Sequence, residues 1–136
     1  MYLASRSEKI GTIERYYKKK IILIDRFIDS TIAYQHYGMG IDIKLIKFLN
    51  KYLLKNIKVG FTFLNIVNKK NLYLRLKKRK SLNRYDRFDM NFYNKVQKGF
   101  INLSKIKKNS NHIVNSNLDI KHNEKLNLNK INKLIR

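Results

Sequence analysis

Apolar positions recur along this chain in two rhythms. Over residues 2–18, Leu3, Ile10, Ile13 and Tyr17 fall at intervals near three and four, the spacing of one helix face. Ile21-Ile22-Leu23-Ile24 has no polar alternation, which predicts a strand covered on both faces, as in parallel sheets packed between helices. Ser30 or Thr31 can then cap a short helix through Tyr34 and Gln35, because a hydroxyl oxygen accepts from the free N–H groups of a first turn. Ile43, Leu45, Ile46, Leu49, Leu53 and Leu54 predict a helix over 41–55. Val59–Val67 reads as a second interior strand, Lys69–Lys78 as a helix returning over the sheet, 80–87 as a basic mobile loop, and about 89–106 as a longer helix. Strand, helix, strand, helix in that order argues for an α/β fold with a parallel sheet.

From Lys107 onward aromatics are scarce and Asn, Lys and Ser abundant. His112-Ile113-Val114-Asn115 has the composition of one more short strand. Leu126, Leu128, Ile131, Leu134 and Ile135 suggest a final amphipathic helix over Asp119–Ile135. The alternative for this stretch is a disordered tail, since its hydrophobicity is low and its charge high.

A chain of 136 residues has room for one small domain, residues 1–136, which buries roughly two-thirds of its unfolded surface. Cysteine is absent, so disulfides and thiolate metal sites are excluded. No apolar run approaches the ~20 residues that span a bilayer, and the first ten residues lack a signal-peptide layout, so a cytoplasmic protein with no membrane partner is expected. The formal charge of +22 would ordinarily point to nucleic acid. Abundant Lys, Asn and Ile with neither Pro nor Trp is instead what strong A+T coding bias produces, and the lysines are spread along the chain.

Candidate chemistry gathers in residues 25–40. Asp25 and Arg26 follow the first apolar run, where a strand would leave the sheet. Ligands of open α/β sheets bind beyond the carboxyl ends of the strands, and a carboxylate beside a guanidinium there can hold a metal ion and a phosphate. Ser30, Thr31, Tyr34 and Gln35 offer polar groups about one turn apart. Tyr2 and Arg6, four apart, share a helix face. His36, His112 and His122 show no shared metal-ligand spacing.

Asp25-Arg26-Phe27, the following Ser30-Thr31, Ala33-Tyr34-Gln35 and Gly38-Met39-Gly40 resemble, in order, the motifs of thymidylate kinase. Tyr2-Leu3-Ala4-Ser5-Arg6 is similar to the aromatic-to-arginine turn that precedes them in that family. Arg79-Lys80-Ser81-Leu82-Asn83-Arg84 is similar to the arginine-bearing lid of the bacterial type, and Phe92, Val96, Gly99 and Phe100 continue in register. The resemblance covers about the first 115 residues and is weaker over 107–136. It implies a partial P-loop nucleoside-monophosphate-kinase fold, a parallel sheet flanked by helices. It also implies ATP-dependent phosphorylation of dTMP to dTDP in dTTP biosynthesis, with Mg2+, on a homodimer. By this resemblance Tyr2 stacks on thymine and Arg6 hydrogen-bonds it, while Arg26 grips the acceptor phosphate. Asp25 helps hold magnesium through water, Tyr34 crowds the sugar and favours deoxyribose, and Arg79 and Arg84 close over the donor phosphates. Arg87 has no assigned counterpart.

The departures from the family are also specific. Gly11, Gly38, Gly40, Gly60 and Gly99 are the five glycines, and none opens the Gly-x-x-x-x-Gly-Lys-Ser/Thr loop that cradles donor phosphates. The expectation is therefore a chain truncated at its N-terminal side, missing the first strand and the P-loop. It would carry the dTMP half of the site and be inactive alone, with a separate N-terminal fragment as the expected complement. Residues 21–24 would then present an unpaired apolar edge. Met39 stands for the family's arginine, His36 for a glycine, and Asn83 for the acid before the lid arginine. The competing expectation is a small basic nucleic-acid-binding protein, using its charge and interleaved aromatics on phosphates and bases.

Overall fold

A computed structural model describes residues 2–55, 57–79 and 89–135, with side chains from Lys9 onward. Helix α1 spans Tyr2–Tyr16. It is followed by α2 (Ile28–Thr31), a π-helix (Ile32–Gly38) and α3 (Ile43–Leu54). Strand β1 (Thr62–Ile66), α4 (Lys69–Lys77), α5 (Met90–Ile106), β2 (Asn111–Asn115) and α6 (Ile120–Ile135) complete the order. The strands pair in parallel, from Thr62 opposite Asn111 to Ile66 opposite Asn115. The fold is α/β, a parallel sheet flanked by helices, and β2 and α6 place regular elements within 111–135, where a disordered tail was the alternative.

Short polar side chains start four of the described helices, Asp119 doing so for α6 by accepting from the N–H groups of Lys121 and His122. The Asp42 carboxylate accepts from the N–H groups of Lys44 and Leu45 at 2.6 and 3.0 Å. Asn68 accepts from Asn71 N–H at 2.8 Å and Asp89 from Phe92 N–H at 2.7 Å. Each satisfies first-turn donors that the helix cannot; α3 and α5 begin just inside the expected boundaries and α4 at the expected Lys69.

Two hydrophobic clusters hold these elements. Ile10 and Ile13 of α1 bury against Ile57, with Tyr17, Ile22, Phe27 and Leu54 around them. Ala33 of the π-helix buries against Phe92 and Val96 of α5, with Tyr34 and Phe100 beside them. That second contact depends on two glycines. A Cβ at Gly38 would lie 2.6 Å from the Phe92 ring, and one at Gly99 2.6 Å from the Tyr37 ring, so only hydrogen lets the two helices approach this closely.

Two expectations need correction. Residues 21–24 form no strand: Leu23 is 85% exposed, Ile21 and Ile24 are also exposed, and Ile22 alone turns into the core. A strand is defined by its neighbour's N–H and C=O groups, and among the described residues nothing pairs with this segment. Neither Ser30 nor Thr31 caps a helix. The N-cap position of α2 is Phe27, without a side-chain cap, and both hydroxyl residues lie inside the helix. Strand β1 is also shorter than the expected 59–67.

Candidate functional site

The turn that leaves residues 21–24 carries the site's least usual backbone. Arg26 has φ 57°, the left-handed region that costs a residue with a Cβ about 1–2 kcal/mol. From there its Nη1 donates to the Tyr34 hydroxyl oxygen at 2.8 Å, and the guanidinium carbon sits 5.2 Å from the centre of the same ring. Asp25, immediately before it, is exposed.

Tyr34 is presented by the π-helix, where Met39 N–H reaches five residues back to the Tyr34 carbonyl at 3.0 Å. Such a widened turn inserts one residue and rotates those around it, and π-turns concentrate at functional sites. The ring is braced edge-on by Phe92 at 6.0 Å and Phe100 at 6.2 Å, both from α5. Aromatic pairs in this geometry exceed their plain burial in strength. Gly40, at φ 77°, turns the chain out of the π-helix toward α3.

Gln35 follows on the same element. Its Oε1 is buried and has no hydrogen-bond donor among the described residues, the situation that burial makes costly and that a ligand N–H would relieve. Ser30 is half-buried, whereas Thr31 is only 4% exposed, turned into the protein. Arg79 is exposed just beyond α4. Tyr2 and Arg6 lie on α1, but their side chains are outside the described portion, as are Arg84, Arg87 and the loop 80–87. The structure thus joins Arg26 to Tyr34 directly. Among the described residues no three His, Cys, Asp or Glu side chains gather as a metal site, and no helix is long and apolar enough to cross a membrane.

Residue-by-residue reading missed the supports of this site. Asp29 accepts from Lys107 Nζ at 2.7 Å, with the pair only 16% and 33% exposed, tying α2 to the end of α5. Phe92 and Phe100 brace Tyr34, and the signal for them was their common face on α5 with Val96. No pattern in the sequence marked the Asp29 pair.

A sequence profile described as thymidylate kinase matches residues 1–127. The thymidylate kinase of Wolbachia pipientis wMel is 38% identical over 113 residues, covering 74% of this chain and 55% of the relative. That of a Wolbachia from Brugia malayi is 41% identical over 83 residues, covering 61% of this chain and 38% of the relative. The crystal structure of thymidylate kinase from Ehrlichia chaffeensis superposes on 98% of this chain and 62% of its own, at 32% identity and a TM-score of 0.68. The chain spans about half the length of the curated relatives it matches. With a profile matched over nearly its whole length and a shared fold, this chain belongs to the thymidylate kinase family.

Proposed function

We propose that this chain supplies the acceptor half of a dTMP kinase, binding dTMP so that the γ-phosphoryl group of ATP can be transferred to it to give dTDP. The observation that carries the reading is Arg26, a guanidinium kept in a costly left-handed backbone and aimed across the ring of Tyr34. Strain of this kind persists where the surroundings over-determine it, which is common in ligand clamps. Only arginine grips a phosphate with two parallel donors.

The other roles follow from family membership. Tyr2 would stack on the thymine and Arg6 hydrogen-bond it. Ser30, Thr31 and Gln35 would line the nucleoside pocket, and the donor-less Gln35 oxygen supports a ligand N–H at that point. Tyr34 would crowd the sugar edge and disfavour a 2′-hydroxyl. Arg79 and Arg84 would neutralise charge on the moving phosphoryl group, where such transfers are mostly positioning and electrostatics. Magnesium commonly takes one or two carboxylates plus phosphate oxygens, and the exposed Asp25 beside Arg26 fits that pattern, holding the ion through water.

Two partners belong to the proposal. Leu45, Phe48 and Tyr52, three and four apart on α3, are all exposed, which supports a homodimer packed along that stripe. Among the described residues nothing pairs with 21–24, which supports a complementing polypeptide segment that brings a strand and a phosphate-binding loop. Without such a loop turnover would be negligible, because losing one transition-state donor can already cost roughly 100-fold. Its setting would be the cytoplasm.

The test is equilibrium binding of dTMP, dAMP and UMP to the chain and to Arg26→Ala. Preference for dTMP that disappears in the variant supports the proposal. Equal, weak, salt-sensitive binding of all three would overturn it in favour of a general polyanion binder.

A further inference from the structure

We propose that Tyr34 is a positioning residue for Arg26: its hydroxyl and ring, braced by α5, hold the guanidinium in the phosphate-gripping orientation before any nucleotide arrives. This rests on the reading of Arg26 as the acceptor-phosphate clamp, and adds a role to Tyr34 beyond crowding the sugar.

Three observations converge. Arg26 is exposed on a turn, where a long flexible side chain ordinarily samples many rotamers and loses them only on binding. Here it is engaged twice by one residue, through the 2.8 Å hydrogen bond to the hydroxyl and through the ring face at 5.2 Å. Tyr34 cannot itself drift, because Phe92 and Phe100 meet its ring edge-on and Ala33 beside it is wholly buried against Phe92 and Val96. Gly38 completes the brace by admitting the Phe92 ring into space a Cβ would take. The orientation of the clamp is thus tied to α5, an element more than sixty residues away in sequence, through the Tyr34 phenol.

The ring and the hydroxyl are separable. Tyr34→Phe keeps the bulk that would exclude a 2′-hydroxyl and the packing on Phe92 and Phe100, and removes the hydroxyl that accepts from Arg26. Two measurements on the full chain decide the matter. Without ligand, 15N relaxation of the Arg26 Nε–H group should report a restricted side chain in the wild type and a measurably less restricted one in Tyr34→Phe. Unchanged relaxation would overturn the proposal. With ligand, calorimetric titration should show dTMP binding about fivefold weaker in Tyr34→Phe, as for loss of one exposed charge-assisted hydrogen bond. Thymidine, which has no phosphate, should bind as before, and so should the ratio of dTMP to its ribonucleotide analogue stay fixed. Equal loss for dTMP and thymidine would overturn the proposal by showing that the hydroxyl serves the nucleoside. Should the relaxation respond while the wild type ignores dTMP, the positioning role stands and the kinase reading of Arg26 falls.

Discussion

Asp29, in the first turn of α2, accepts a 2.7 Å hydrogen bond from Lys107 at the C-terminal end of α5, joining positions 78 apart in sequence. The carboxylate is largely buried and the ammonium partly so, so the pair is screened less by salt than a surface pair. It fixes the end of α5 remote from Phe92 against the segment that carries the site. Asp29→Ala leaves a partly buried ammonium without this partner and is expected to lower stability by about 1–2 kcal/mol. Lys107→Met, which keeps the stem packing, is expected to cost less. A double-mutant cycle from urea unfolding should return a coupling of ~1 kcal/mol; a coupling near zero would mean that the contact is incidental.

Gly38 and Gly99 should tolerate no side chain. The nearest atoms to an added Cβ are ring carbons of Phe92 and Tyr37 at 2.6 Å, so either substitution forces a ring to shift. Gly38→Ala and Gly99→Ala are each expected to destabilise by ~1–3 kcal/mol, the usual cost of overpacking. Gly38→Ala should also weaken dTMP binding beyond what Gly99→Ala does, since it displaces the ring that braces Tyr34. Equal effects on binding would separate Phe92 from the site.

What the sequence could reveal followed the range of each interaction. Helices α3, α4 and α5 were legible because a helix is built from local contacts, although the Asp42, Asn68 and Asp89 side chains that cap them were not singled out. Residues 21–24 were misread as a strand because apolar composition expresses a tendency, whereas a strand needs a second segment whose backbone meets it. The π-helix left no trace, since one inserted residue in a seven-residue element hardly alters apolar spacing. Arg26 and Tyr34 were both singled out, yet their bond depends on a left-handed turn that no propensity assigns to arginine. Asp29 with Lys107 is non-local and stayed invisible.

The strain at Arg26 sets stability against function in a measurable way. Glycine adopts φ 57° without the Cβ penalty, while alanine retains it. Both substitutions remove the guanidinium, so dTMP binding should vanish in both. Arg26→Gly should nevertheless be the more stable of the two, by about 0.5–1 kcal/mol once its greater unfolded-state freedom is deducted from the relieved strain. Thermal unfolding of the two variants side by side decides it, and an Arg26→Ala protein as stable as Arg26→Gly would show that the turn is not strained.

On α3 the outward stripe offers a clean test of self-association. Phe48 is 65% exposed and Tyr52 73%, so a charge at Phe48 should leave the folded chain intact while disfavouring contact between two copies. Phe48→Glu is expected to shift sedimentation from dimer to monomer with an unchanged circular dichroism spectrum. A wild-type chain that sediments as a monomer would remove the stripe's proposed role.

Neighbouring residues of the unpaired segment should respond in opposite ways. Ile22 packs into the cluster with Ile10, Ile13 and Ile57, whereas Leu23 points to solvent. Ile22→Lys buries a charge among aliphatic side chains and is expected to abolish cooperative unfolding, a loss on the order of 3 kcal/mol or more. Leu23→Lys places a charge on an exposed apolar edge, the device by which natural proteins discourage edge pairing. It should raise the soluble yield without lowering the melting temperature. It should equally prevent pairing with a co-expressed strand-bearing segment, because a lysine facing that segment's covering layer would have to be desolvated. Pairing that proceeds as well for Leu23→Lys as for the wild type would mean that residues 21–24 are not where such a strand docks.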